Sequence, residues 1–211
     1  SVYEHDTNRH RQHRAEMTHY SPSQINMFSR CGEQYRRRYI EGERIPPGVA
    51  MIRGTAFHEG ARHNFRQKIE SRVDLPTSEI VEVAADNFDA AAKGELALTE
   101  EEAGRGLKAV IGEAKDETVR LAHAHTVLQA PDYQPVLVEE RVEIASGIPD
   151  LEIHGVLDLT DEADRVVDLK TKAKSPNADE AEKSVQLTVY SAMHAARLKR
   201  PAKKLRLDVL V

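Results

Sequence analysis

The segment Gly155-Val-Leu-Asp158-Leu, followed after a polar turn by Val166-Val-Asp168-Leu-Lys170-Thr-Lys172, constrains this 211-residue chain more than any other. It reads as two strands of a hairpin. Residues two apart in a strand share a face, so Val166, Asp168, Lys170 and Lys172 point one way and Val167, Leu169 and Thr171 the other. The even separation of Asp158 and Asp168 permits a register that sets them opposite each other, Cβ atoms roughly 5 Å apart. Two carboxylates at that distance repel by about 3 kcal/mol at an effective dielectric near 20. A divalent cation between them reverses the sign, because hard cations take carboxylate oxygens. A solvated acidic hairpin is the plainer reading, but the apolar Gly-Val-Leu and Val-Val flanks embed these charges in core-like sequence, where unpaired carboxylates are rare.

With 40% hydrophobic and 31% charged residues the composition is that of a soluble globular protein. No run approaches the roughly 18 apolar residues of a membrane span, and the His- and Arg-rich start lacks the apolar stretch of a signal peptide. A cytoplasmic protein is expected. The single cysteine, Cys31, excludes an internal disulfide and any iron–sulfur cluster built from several cysteines of this chain. Residues 1–72 hold 13 basic against 8 acidic side chains and residues 73–135 hold 5 against 13, which suits polyanion binding on one side only.

Residues 1–18 are polar and aperiodic and are expected to form a flexible arm, with a single domain over 19–211. Ser21-Pro22-Ser23-Gln24 is a helix start with a capping box, and Ile25, Phe28, Cys31, Tyr35 and Tyr39 repeat at helical spacing. Cys31 and the aromatic stripe are read as packing residues. A second helix is expected from Gly54-Thr55, carrying His58 beside Phe57, Ala61 and Phe65. Residues 73–130 read as an inserted helical subdomain, acidic and alanine-rich. The period then becomes two over Val136–Ile144, the first of three strands of which the hairpin supplies the others. Asn177 is read as the cap of a helix ending before Pro201, and Leu205–Val211 as a last strand, beyond which the natural chain is expected to continue.

An α/β core ordered helix, three strands, helix, strand, with a mixed sheet, N-terminal helices and a helical insertion, is restriction-endonuclease-like. With Asp158 on the second strand and Asp168-x-Lys170 on the third, it resembles the PD-(D/E)XK nuclease superfamily, and within it the RecB-like exonucleases. Ser21-x-Ser23-x-Ile25-x-x-Phe28-x-x-Cys31-Gly-x-x-Tyr35 looks like that group's N-terminal signature, Gly54-Thr-x-x-His58 like its histidine motif, and Gln186-x-x-x-Tyr190 like its Gln/Tyr motif. Gly32 stands where the signature usually has Pro, and Leu157 rather than Pro precedes Asp158. A literal Pro149-Asp150 lies in a turn, a poor place for a metal ligand.

The resemblance implies a DNA-cleaving enzyme, an exonuclease of repair, recombination or phage DNA processing. It implies a magnesium or manganese ion held by His58, Asp158, Asp168 and the carbonyl of Leu169, with Asp158, Asp168 and Lys170 catalytic and no iron–sulfur cluster. Gln186, Tyr190 and Lys172 are the expected substrate contacts. DNA is the implied partner, and a homo-oligomer or a helicase or recombination partner is compatible with it. A nuclease-fold module that binds nucleic acid or a protein without cutting is the alternative.

Overall fold

The computed structural model describes residues 18–177 and 179–211. The expected polar arm therefore lies almost wholly outside the described residues. Its last member, Thr18, opens a short strand, β1 (Thr18–Tyr20), which leads into α1 (Pro22–Arg30). Ser21 caps α1 through a full capping box with Gln24. The helix stops at Cys31, whose backbone is extended (φ −159°) and whose Sγ accepts the Gln34 N–H to start α2 (Gly32–Tyr35). A π-helical turn follows over Arg36–Ile40. Cys31 is exposed, and so are Phe28 and Tyr39; the aromatics of the stripe pack on one another, Phe28 edge-on to Tyr35 and Tyr35 against Tyr39, rather than into the core.

The second helix, α3 (Val49–Ser71), starts earlier than Gly54-Thr55. Thr55 lies inside it, donating to the Met51 carbonyl, because Val49 and Ile52 have a core to fill and extend the helix back to the Pro46-Pro47-Gly48 loop. α4 (Thr77–Ala91), α5 (Glu100–Arg105) and α6 (Leu107–Leu128) follow. Gly60 lets α3 and α4 meet: a Cβ there would lie 3.0 Å from the Ile80 carbonyl.

The sheet comprises β1 with β2 (Pro135–Ala145), β3 (Leu151–Asp161), β4 (Arg165–Thr171) and β5 (Lys204–Leu210). β2, β3 and β4 form an antiparallel meander, whereas β5 runs parallel to β4 and β1 parallel to β3. The crossover between β4 and β5 is α7 (Val185–Leu198), capped by Ser184 rather than by Asn177. Helical stability comes mainly from burying an apolar face. Leu187, Tyr190 and Met193 provide one after Ser184, while residues 179–184 form turns held by pairs such as Lys183–Asp179.

One face of the sheet packs on α3 and α6, where Phe57, Phe65 and Leu121 meet Val138, Leu159, Val167 and Leu169. The other face packs on α7, where Tyr190 and Met193 meet Leu137, Val142, Leu157 and Val166. The architecture is a restriction-endonuclease-like α/β fold. One edge of β3 is shared: β1 takes Leu151–Ile153 and β4 takes Leu159–Thr160, and among the described residues no ladder covers that edge between them.

Candidate metal centre

The β3–β4 ladder pairs Leu159 with Val167 and Thr160 with Val166. Continued by one residue, that register sets Asp158 opposite Asp168, but there the strands part. The Leu169 N–H turns to the Asp158 side chain and donates to Oδ2 at 2.9 Å, while β4 keeps its ladder to β5 as far as Thr171. The parting exposes the Leu169 carbonyl to α3, whose His58 Nε2 lies 3.0 Å from it. Gly54 makes this approach feasible, since even a Cβ there would stand 3.3 Å from Thr171 Oγ1. This is the physical content of the Gly54-Thr-x-x-His58 spacing: one residue lets the helix come close, and the other, one turn on, points in.

A carboxylate not foreseen in the sequence completes the cluster. Glu139 of β2 approaches His58 Nδ1 at 3.4 Å, and His58, Glu139 and Asp158 offer ligand atoms all within 4.8 Å of one another. Glu139 has φ +48°, a left-handed conformation unusual for a non-glycine residue within a strand. The alternation slips there on both strands: Val138 and Leu159 belong to the α3-side core, Val142 and Leu157 to the α7-side core. The sequence signal is the break in alternation, where the apolar run Val136-Leu-Val138 is followed by the charged run Glu139-Glu-Arg141.

Asp168 sits apart from that trio. It is 1% exposed, and its Oδ1 accepts from Lys170 Nζ at 2.9 Å and from Gln186 Nε2 at 3.1 Å. Gln186 also donates to the Tyr190 hydroxyl at 2.7 Å, so the i, i+4 pair on α7 closes over Asp168. Burial holds the Tyr190 hydroxyl well above the usual phenol range. Lys172 lies further along β4 with its ammonium on Glu180. A groove of about 420 Å³, lined by Met51, Thr55, His58, Glu139, Asp158 and Lys170 among others, opens from the cluster to solvent.

The electrostatics suit a cation. Burial pushes the Asp158 carboxyl up to about 7; His58 pulls it back and Asp168 adds to the rise. Burial alone would lower the His58 imidazole, but Glu139 and Asp158 outweigh it and the net direction is upward. A carboxylate and imidazole held this way gain from a divalent ion that replaces their protons. The donor set fits one: two ligands about 2.1 Å from a common ion at right angles are about 3 Å apart, as His58 Nε2 and the Leu169 oxygen are. With Nε2 so used, the Nδ1 proton faces Glu139, a carboxylate–histidine arrangement that fixes the ring.

The model of the PD-(D/E)XK nuclease superfamily matches residues 19–210. The chain belongs to that superfamily. PD-(D/E)XK proteins are generally metal-dependent nucleases, and His58, Glu139 and Asp158 form a group that could hold a metal ion. No curated protein matches the sequence. Among the described residues no helix of this PD-(D/E)XK protein is long and apolar enough to cross a membrane.

Proposed function

We propose that the protein is a deoxyribonuclease of the RecB-like kind, an exonuclease that hydrolyses DNA with magnesium or manganese in repair, recombination or phage DNA processing. The observation that carries this is the convergence of His58 Nε2, the Leu169 carbonyl and Asp158 beside an Asp168–Lys170 pair. The ion would be held by His58, Asp158, Asp168 and the Leu169 oxygen, with Glu139 orienting His58 or joining them. When bound, it supplies a water of lowered pKa and draws charge from the scissile phosphate. A single imidazole among oxygen donors makes manganese at least as suitable as magnesium.

The protein's own groups do the rest. Lys170 donates from Nζ, and the Asp168 oxygen it touches aims that ammonium at the groove, where it can hold the attacking water and meet charge on the phosphate. Gln186 keeps one N–H on Asp168 and the other on Tyr190, which fixes the carboxylate without neutralising it. Met51 and Thr55 wall the groove, and a DNA strand entering it would lay its backbone along α3 and the end of β4. Lys172 reaches a phosphate only by leaving Glu180, so its contribution should be the most salt-sensitive.

The exonuclease reading rests on the motif resemblance and is tested directly. Purified protein should degrade linear DNA with magnesium or manganese, leave covalently closed circles intact, and cut neither substrate in EDTA. Cleavage of closed circles would make it an endonuclease. DNA retention without cleavage under every metal would leave a binding module in place of the enzyme.

A further inference from the structure

At the other end of the uncovered edge of β3 lies a second group of metal-ligating side chains. The parallel β1–β3 ladder pairs His19 with Glu152, and His154 stands two residues on along β3, on the same face as Glu152. Glu152 Oε2 is 3.2 Å from His154 Nε2 and 3.6 Å from His19 Nδ1. The two imidazole rings lie against each other, centroids 4.0 Å apart and planes inclined by 32°. Ligand atoms of all three residues fall within 4.8 Å of one another, and the His154 side chain is only 14% exposed.

We propose that His19, Glu152 and His154 bind a second cation, a zinc-type transition-metal ion, that fastens β1 to β3. Two imidazoles and one carboxylate favour zinc, nickel or copper over magnesium, the reverse of an oxygen-rich nuclease centre. Three protein ligands leave a fourth position for water or an anion. His19 and His154 line a cleft of about 420 Å³ together with Ser21, Gln24, Gln186 and Tyr190, from which such a ligand can enter. Glu143 stands 3.7 Å from His154 Nδ1 and can take its proton when Nε2 is on the ion, the outer carboxylate such ligands commonly have. Arg141 donates to that Nδ1 at 3.1 Å. Arg141 is exposed and pairs with Glu143, so it can yield the nitrogen and keep the carboxylate.

This is not the second ion of a two-metal nuclease. His154 and Asp158 are four residues apart along β3, about 13 Å, whereas paired catalytic ions sit about 4 Å apart. The site therefore stands whether or not the nuclease reading does.

The test uses the full chain, stripped with EDTA, in a His58→Ala/Asp158→Asn background that disables the first centre. Zinc alone is titrated by calorimetry, and melting is followed with and without it. One zinc should bind and raise Tm. His19→Ala or His154→Gln should each weaken binding at least tenfold and abolish the zinc-dependent rise in Tm, with the circular-dichroism spectrum unchanged. His19 is nearly half exposed, so its replacement has no core to disturb. No zinc binding in the background protein, or binding indifferent to both histidines, overturns the proposal. Cleavage enters neither readout, so failure here is distinct from failure of the nuclease reading.

Discussion

Asp158→Asn is expected to lower DNA cleavage by at least about 10³-fold, about 4 kcal/mol of transition-state stabilisation, while making the metal-free protein more stable. The asparagine still offers an oxygen to the Leu169 N–H, so the parting of β3 and β4 survives. What disappears is a buried charge. Folding raises the Asp158 carboxyl from 3.8 to about 7. A raised folded value means that the group's stabilising contribution is full below about pH 4 and is lost as pH rises through about 7. His58, also raised, acts in the same direction above its ordinary value. In EDTA, wild-type Tm should therefore fall between pH 5 and pH 8, and the asparagine variant should fall less and be the more stable of the two at pH 8 by about 2 to 4 kcal/mol. Manganese should reverse the order, stabilising the wild type and releasing protons detectable as buffer-dependent heat. A variant less stable than wild type at pH 8 in EDTA would show that Asp158 carries no such burden.

Lys170→Met is expected to reduce the cleavage step about 10²- to 10³-fold with manganese binding changed by less than threefold. Methionine keeps an aliphatic stem of similar length and removes only the donor. The ammonium makes no contact with His58, Glu139 or the Leu169 carbonyl among its close partners; it touches Asp168. Asp168 is one of the proposed ligands, but Lys170 itself supplies no ligand atom, so its loss separates chemistry from ion holding. It also leaves Asp168, nearly inaccessible, with Gln186 as its remaining side-chain partner, which should cost about 1 to 3 kcal/mol of stability. Single-turnover cleavage of end-labelled DNA at saturating manganese, beside a manganese titration and a melting curve, reads the three quantities separately. Retention of more than a tenth of the wild-type rate would remove Lys170 from the mechanism.

Much of this centre could be read before any coordinates because strands are periodic. The even spacing of Asp158 and Asp168 between apolar neighbours permits the register that the β3–β4 ladder has at Leu159–Val167, one pair short of the two aspartates. His58 could be read because its helix is long and its motif carries a glycine with a steric purpose. Glu139 could not, for the complementary reason: its positive φ breaks the period on which the reading depended. The late start of α7 has another cause. Asn177 and Ser184 both have capping chemistry, and only the second is followed by side chains that reach the sheet. The spacing of Ile25, Phe28, Cys31 and Tyr35 predicts one continuous helix, whereas the extended backbone at Cys31 divides α1 from α2 and leaves its thiol exposed.

The short strand β1 has a bearing on how the chain reaches this state. Hairpins join β2 to β3 and β3 to β4 over a few residues, but Thr18 finds Leu151 only after the whole helical insertion has been threaded between them. Contacts so distant in sequence reward their loop-closure entropy last. The meander should form early and β1 should dock late, so its amides are expected to exchange with deuterium fastest of the sheet, measurable by mass spectrometry. Protection of Thr18–Tyr20 equal to that of β4 would refute this order. The cleft that shares Gln186 and Tyr190 with Asp168 would then be the final part of the molecule to acquire its walls, after the acidic hairpin already stands.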